Sequence, residues 1–494
     1  MRLLTYAGGG AVFLVLATLN SGGYRYGAAD QAFYIPAVLK QLDPSRFPRD
    51  TVLLAPQARY FFVDELVAIA MRATGWSIEA CFAAGYVLTV LVLYAALWRF
   101  GHAIFRTPLA VWALLAAQTL RHRITRTGVN TLEGYFHPRV LVFAVGVWSI
   151  ATYLRGRPWL ALGAVCAAGL LHPTMAAFFV VFLVPAIWTT EPRARRALGV
   201  GVSAGMAAVA WMLLAGPMRG SLAPMDPAWL ELLASKDYLF PTRDWGADAW
   251  ATNLGTAAVA IGGVAWRLRQ GVAMPRERGL LAGAVALTLG FLVTLPAVGL
   301  GSALFVQLQI PRAFWILDLL ATAVLLGWIV DQRRPAHGGA PGGRRLGVAL
   351  LLAGVATGRG VWVGLVEHRD RPVVALTLPD DDWTRVIQWA SAQPTRTHLL
   401  ADPGHAWKYG SPLRYAGRDV FLEEVKDVAL AIYSRESAGR VIERRVALGD
   451  FDAMGPAAAS AMAARFGLDY LVVDRDMNLP LAHQEGRFRI YALR

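Results

Sequence analysis

The sequence predicts a polytopic α-helical membrane protein of about eleven transmembrane helices, followed by a small C-terminal α/β domain. Three observations predict it. The chain is 56% hydrophobic and only 17% charged, with a mean hydropathy of +0.43, whereas soluble proteins carry about 25% charged residues. Runs such as 83–98 and 279–300 contain no charged side chain, and about 17–25 apolar residues cross the hydrocarbon core as a helix. From about residue 379 the long runs give way to short segments of soluble type.

Spans are expected near 5–21, 79–98, 107–120, 139–154, 158–171, 174–189, 197–215, 250–266, 279–300, 313–330 and 346–366. The first is not read as a cleaved signal peptide, because no small-residue cleavage site stands out and further spans follow. Arginine in the short loops sets the orientation. With the N-terminus inside, the inner loops hold Arg99 and Arg106, then Arg155 and Arg157, then Arg193, Arg195 and Arg196. They continue with Arg267, Arg269, Arg276 and Arg278, then Arg333, Arg334, Arg344 and Arg345. The expected topology is N-in, C-out. It leaves loops 22–78 and 216–249, and everything after about 367, outside.

The net charge of +14 and pI near 10.1 would point to nucleic acid in a soluble protein. Here much of the excess is inner-loop arginine, which argues against a nucleic-acid partner and for membrane lipids. Both cysteines, Cys81 and Cys166, fall in or beside spans, so no disulfide framework holds the outer domain. The Ala/Arg/Gly-rich composition fits a bacterial plasma membrane.

Two domains are expected, 1–366 in the membrane and 367–494 outside. The loop 22–78 contains DQAFYIPAVLKQL (30–42) and YFFVDELVAIAMRAT (60–74), read as two helices lying on the membrane surface, apolar sides down. Loop 331–345 is a glycine- and proline-rich inner linker. In the outer domain, 380–393 reads as a helix with Trp383, Val386, Ile387 and Ala390 on one face. Residues 397–403 read as a buried strand and turn, and 419–425 as another strand. Residues 457–476 read as a helix, a capping glycine and a strand, and 487–494 alternates as an edge strand.

The outer loops carry the candidate chemistry. Asp30 sits in a Gly/Ala/aromatic setting about nine residues after the first span. It can act as a general base towards a hydroxyl or amine, as an N-cap for the helix beginning at Gln31, or as both. Asp43 and Asp50 border prolines and charges, where turn roles compete with accessory ones. Loop 121–138 is basic although outside and includes Arg126, with Arg139 just beyond it; Arg312 precedes the tenth span. Arginines there either anchor lipid headgroups or clamp a phosphate. Glu133 and His137, four apart, offer two metal ligands if helical, too few for a site. His172 precedes Pro173 at the outer end of the fifth span, as a structural or an accessory histidine. Asp318 lies inside the tenth span, where an acid calls for a partner or a function.

These segments resemble the GT-C superfamily of integral-membrane glycosyltransferases, and a bacterial multi-pass subgroup of it. The resemblance is carried by YGAADQAFYIPAVLKQLDPSRFPRD (26–50), His137-Pro138-Arg139, Leu171-His172-Pro173, Gln309-Ile310-Pro311-Arg312 and the terminal DYLVVD…FRIYAL. It implies a polyprenyl-phosphate-linked sugar donor, an outward-facing site, Asp30 as general base, and Arg312 with Arg139 on the lipid-linked phosphate. Members with a paired acid in this loop have a second carboxylate where this chain has Gln31. That departure bears on any divalent metal, which nothing else in the sequence requires. A flippase for lipid-linked glycans and a non-catalytic scaffold are the alternative readings.

Overall fold

The computed structural model describes residues 2–331 and 343–494; Arg333 and Arg334 of the expected linker lie outside the described residues. The chain separates into two units. One comprises 1–24, 85–224 and 237–374, and the other 25–84, 225–236 and 375–494.

Every expected apolar segment is helical. In chain order these helices are α1 (Arg2–Asn20), α2 (Ile78–Ile104), α3 (Pro108–Thr119), α4 (Pro138–Leu154), α5 (Pro158–Ala168) and α6 (Pro173–Thr190). Then come α7 (Arg195–Leu214), α8 (Ala247–Arg269), α9 (Glu277–Gly299), α10 (Phe314–Ile329) and α11 (Gly343–Trp362). Among the described residues, six helical stretches are long and apolar enough to cross a membrane; α1, α3, α4 and α5 are apolar but shorter.

Helices α3 to α6 all start with proline, after Thr107, His137, Arg157 and His172. Proline suits that position because its missing N–H would have had no helical partner. Large rings then lock against small residues. Phe143 stacks on Trp315 with centroids 3.9 Å apart. Phe179 lies where a Cβ on Gly146 would come within 2.3 Å, and Phe182 within 2.7 Å of one on Gly283. Any larger residue at Gly146 or Gly283 would push α6 off its neighbours. Helix α7 differs: Val200, Met206, Trp211 and Leu214 are exposed. A groove of about 910 Å³ runs along it, lined by Trp159, Cys166, Val181, Gly201 and Met206 among others.

Charges in this unit are matched at short range. Where α8 ends and α9 begins, Arg267 donates to both oxygens of buried Glu277, at 2.7 and 3.0 Å, and to the Ile104 carbonyl. Asp318 on α10 has its partner in His122, whose Nε2 lies 3.2 Å from both carboxylate oxygens. His122 precedes the hairpin of β1 (Arg123–Ile124) and β2 (Val129–Asn130). The hydrogen bond with Asp318 raises the His122 pKa, against the opposing effect of burial. A raised histidine contributes stability that is present below its unfolded value and lost as pH rises through the folded one. Thermal unfolding in detergent should therefore show His122→Gln less stable by about 0.2–1 kcal/mol near pH 6. The gap should close as the pH approaches about 9. A pH-independent gap would mean the pair does not titrate.

The second unit carries a five-stranded sheet made of β3 (His398–Ala401), β4 (Asp419–Val420), β5 (Tyr470–Val473), β6 (Leu481–Glu485) and β7 (Phe488–Ala492). Its order is β4-β3-β5-β7-β6, with β4, β3 and β5 parallel and the last two strands antiparallel. All four β3 residues are buried, as suits a parallel strand covered on both faces. The helix Asp382–Ala392 buries Trp383, Val386, Ile387 and Ala390, the expected face, and Asp381 caps it through the Thr384 N–H at 2.8 Å. Helix Pro456–Phe466 ends at Gly467 in a left-handed conformation (φ 67°) before β5, as expected. The terminal strand is not at the edge. It pairs with β5 on one side and β6 on the other, so Leu481–Glu485 forms the edge. Residues 419–425 are extended only at Asp419–Val420 and continue into the helix Glu424–Leu430.

Two further expectations are corrected. Residues 25–84 group with the C-terminal segment rather than with the apolar helices, so the boundary drawn at 366/367 does not divide the chain. The cause is a buried charge cluster: Asp50 accepts from Arg414 Nε at 2.9 Å and from the Val420 N–H at 3.0 Å, and pairs with Arg440. Ser437 Oγ also donates to the Val52 carbonyl. The helix Gln31–Leu42 buries Tyr34, Ile35 and Val38 and packs on the helix Val63–Thr74, so its apolar side serves the protein interior. Only Val63–Thr74 has an exposed apolar flank, with Phe62, Leu66 and Ile69.

Candidate functional site

In the first unit, four basic side chains gather at the starts of α4 and α6 and before α10. His137 and His172 are the N-caps of α4 and α6, and their rings lie 6.4 Å apart. Arg139 is the second residue of α4. Arg312 sits in the short 3₁₀ segment Ile310–Ala313, with its guanidinium 5.9 Å from the Tyr238 ring. All four are buried. Burial holds the His172 pKa well below the usual histidine value, and Arg312, His137 and Arg139 push it the same way. The ring is therefore neutral amid cations.

Glu133 lies beside this group. It contacts Arg139 at 3.4 Å and Arg121 at 3.8 Å and accepts from Asn130 at 3.1 Å. Its carboxylate orders arginines, and His137 spends Nδ1 on its cap, which is not the arrangement of a metal-ligand pair. Among the described residues, no three His, Cys, Asp or Glu side chains converge to hold a metal ion. Arg126, expected to anchor a lipid headgroup or clamp a phosphate, has a carboxylate partner. It pairs with Asp237 while its carbonyl accepts from Trp245 Nε1 at 3.0 Å, so a carboxylate already balances its charge.

In the second unit, Asp30 occupies the N-cap position of Gln31–Leu42 but makes no side-chain cap bond; its backbone is helical (φ −76°, ψ −4°). Its carboxylate lies 3.7 Å from Lys426 Nζ and is about one-third exposed. The loop before it is held tightly. Gln31, fully buried, accepts from the Gly27 N–H at 2.6 Å, and Tyr415 donates to the Gly27 carbonyl at 2.9 Å. Gln31 is thus a structural brace. Asp43 takes a turn role, accepting from Ser45 N and Oγ and from Arg46. Asp50 belongs to the buried charge cluster. Lys426 and Arg414 were missed by sequence reasoning; the acid-rich run around Glu423 and Asp427 was the available signal.

Among the described residues, four non-glycine positions have positive φ: Ala29, Phe47, Arg126 and Gln309. Ala29 immediately precedes Asp30, and Gln309 opens the segment carrying Arg312. Left-handed backbone at such residues costs about 1–3 kcal/mol and concentrates where side chains must be aimed.

Fold and site together define a helical membrane protein with a small α/β sheet near its C-terminus. The sequence matches no protein-family model and no curated protein. Two solved structures are similar in outline. One is the archaeal oligosaccharyltransferase AglB from Archaeoglobus fulgidus, in complex with an inhibitory peptide and a dolichol-phosphate. It is 14% identical, with 94% of this chain and 69% of that chain covered and a TM-score of 0.48. The other is the Archaeoglobus fulgidus oligosaccharyltransferase in the apo form, with the same identity and coverage and a TM-score of 0.38. Likeness at this level assigns neither activity nor residue roles.

Proposed function

We propose that this protein is a GT-C-type glycosyltransferase of a bacterial plasma membrane, oriented N-in, C-out. It moves a sugar from a polyprenyl-phosphate-linked donor to an acceptor on the outer side. The observation that carries this reading is the convergence of Arg139, Arg312, His137 and His172 in the first unit. Buried cations beside a neutral imidazole at His172 suit a leaving phosphate, whose charge develops as the bond to the sugar breaks. The apolar groove along α7, in the same unit, suits an isoprenoid chain.

In this reaction the acceptor hydroxyl or amine attacks the anomeric carbon, and the bond from that carbon to the phosphate oxygen breaks. Asp30 takes the acceptor proton, and the polyprenyl phosphate leaves with the bonding electrons. Inversion at the anomeric carbon follows from a single displacement. Arg139 and Arg312 hold the phosphate.

Transfer measured with a lipid-linked donor tests the phosphate assignment. Arg312→Ala is expected to weaken donor use by about 1.5–3 kcal/mol, the worth of a charge-assisted contact. Arg312→Lys recovers only part of it, because the planar fork is lost. Arg126→Ala, already balanced by Asp237, should change donor use little. Normal donor turnover by both Arg312 variants would make that residue a headgroup anchor and displace the proposed site.

A further inference from the structure

We propose that His137 and His172 bind the donor phosphate as neutral Nε2–H donors, in a tautomer that each helix N-terminus imposes. This rests on the reading of Arg139 and Arg312 as phosphate ligands. The argument starts from the caps. His137 Nδ1 accepts the backbone N–H of Arg139 at 3.1 Å, and His172 Nδ1 accepts that of Met175 at 3.3 Å. Thr174 Oγ1 also lies 3.2 Å from His172 Nδ1. A backbone N–H only donates, so each Nδ1 must offer its lone pair, and the ring's proton resides on Nε2.

Serine, threonine, aspartate and asparagine are the usual N-caps, and each would satisfy the same N–H. Histidine does so with one nitrogen and carries a donor on the far side of the ring. Two helices of this unit use that unusual cap, each followed by proline, and the two rings lie 6.4 Å apart. Arg139 shares the first turn of α4 with His137. The arginines Arg312 and Arg139 bear on His172, and together with burial they oppose its protonation. Protonating either ring would also set an Nδ1–H against a backbone N–H. The histidines therefore orient phosphate oxygens without adding charge, and the arginines alone supply the positive field.

The test uses the full-length protein in lipid nanodiscs and a synthetic prenyl methyl phosphodiester, whose single negative charge does not change across the histidine range. Wild-type Kd should stay flat from about pH 5.5 to about 7.5. His172→Asn and His137→Asn keep an oxygen that can cap the helix but lose the Nε2–H. Each should weaken the probe about two- to tenfold, with unchanged unfolding temperature and a Kd still flat with pH. Nitrogen-15 spectra of histidine-labelled protein should show the Nε2–H tautomer at the acid end, shifting on probe addition. A Kd that rises steeply with pH would mean imidazolium donors and overturn the proposal. Asn variants that bind like wild type, while Arg312→Ala does not, would reduce both histidines to caps. Wild-type binding by Arg312→Ala would instead remove the phosphate reading itself, and this inference with it.

Discussion

Asp30→Asn is expected to lower sugar transfer by about 10²–10⁴, the usual contribution of a positioned general base, while leaving expression and unfolding temperature near wild type. The structural reason is specific. Asp30 stands at the N-cap position without making the cap bond, so removing its charge takes no hydrogen bond from the helix that follows. The contact with Lys426, at 3.7 Å and partly exposed, is worth at most about 1 kcal/mol. Asp30→Ala should be equally inactive. A purely capping aspartate would behave differently: asparagine would be silent and alanine would cost about 1 kcal/mol. Steady-state transfer by the purified variants, with unfolding temperatures recorded beside it, separates the cases. Wild-type rates in well-folded Asp30→Asn would remove the catalytic assignment.

Asp50→Ala is expected to destabilise the second unit by about 3–5 kcal/mol, because it takes a partner from the buried Arg414 guanidinium and from Arg440 and Arg444 beside it. Asp50 is fully buried and meets Arg414, Arg440 and Arg444, while Arg414 also reaches Glu423 at 2.8 Å and Asp427 at 2.9 Å. Arg414→Met should cost at least as much, since it leaves three carboxylates facing one another. Burial alone would raise the Asp50 pKa, but Arg414, Arg440 and Arg444 outweigh it and hold the carboxyl below its usual range. A depressed carboxylate contributes stability that is present above its unfolded value, about 3.9, and lost as pH falls towards the folded one. Denaturant unfolding should thus show a constant gap between wild type and Asp50→Ala from about pH 5 to 8, shrinking below about pH 4. No difference at neutral pH would mean that the cluster does not clasp residues 25–84 to the C-terminal segment.

Sequence alone determined the features that depend on neighbours in the chain. All eleven apolar segments, the buried face of Asp382–Ala392 and the glycine stop at Gly467 follow from composition, helical spacing and capping, each set within a few residues. The candidate residues were legible as residue types in the loops between apolar segments, and Asp30, Arg139 and Arg312 remain in the proposal. Only the tertiary structure decided which of those residues are occupied elsewhere. Arg126 meets Asp237 across 111 positions, and Asp50 meets Arg414 across 364; no local pattern marks such partners, because charge pairing depends on proximity in space. The same holds for the terminal strand, whose alternation is the same at an edge or inside a sheet until pairing chooses. It holds for His137 and His172 too. His-Pro before an apolar run was visible in both places, but only the backbone around each ring assigns its nitrogens, since a tautomer is set by the hydrogen bond the ring makes.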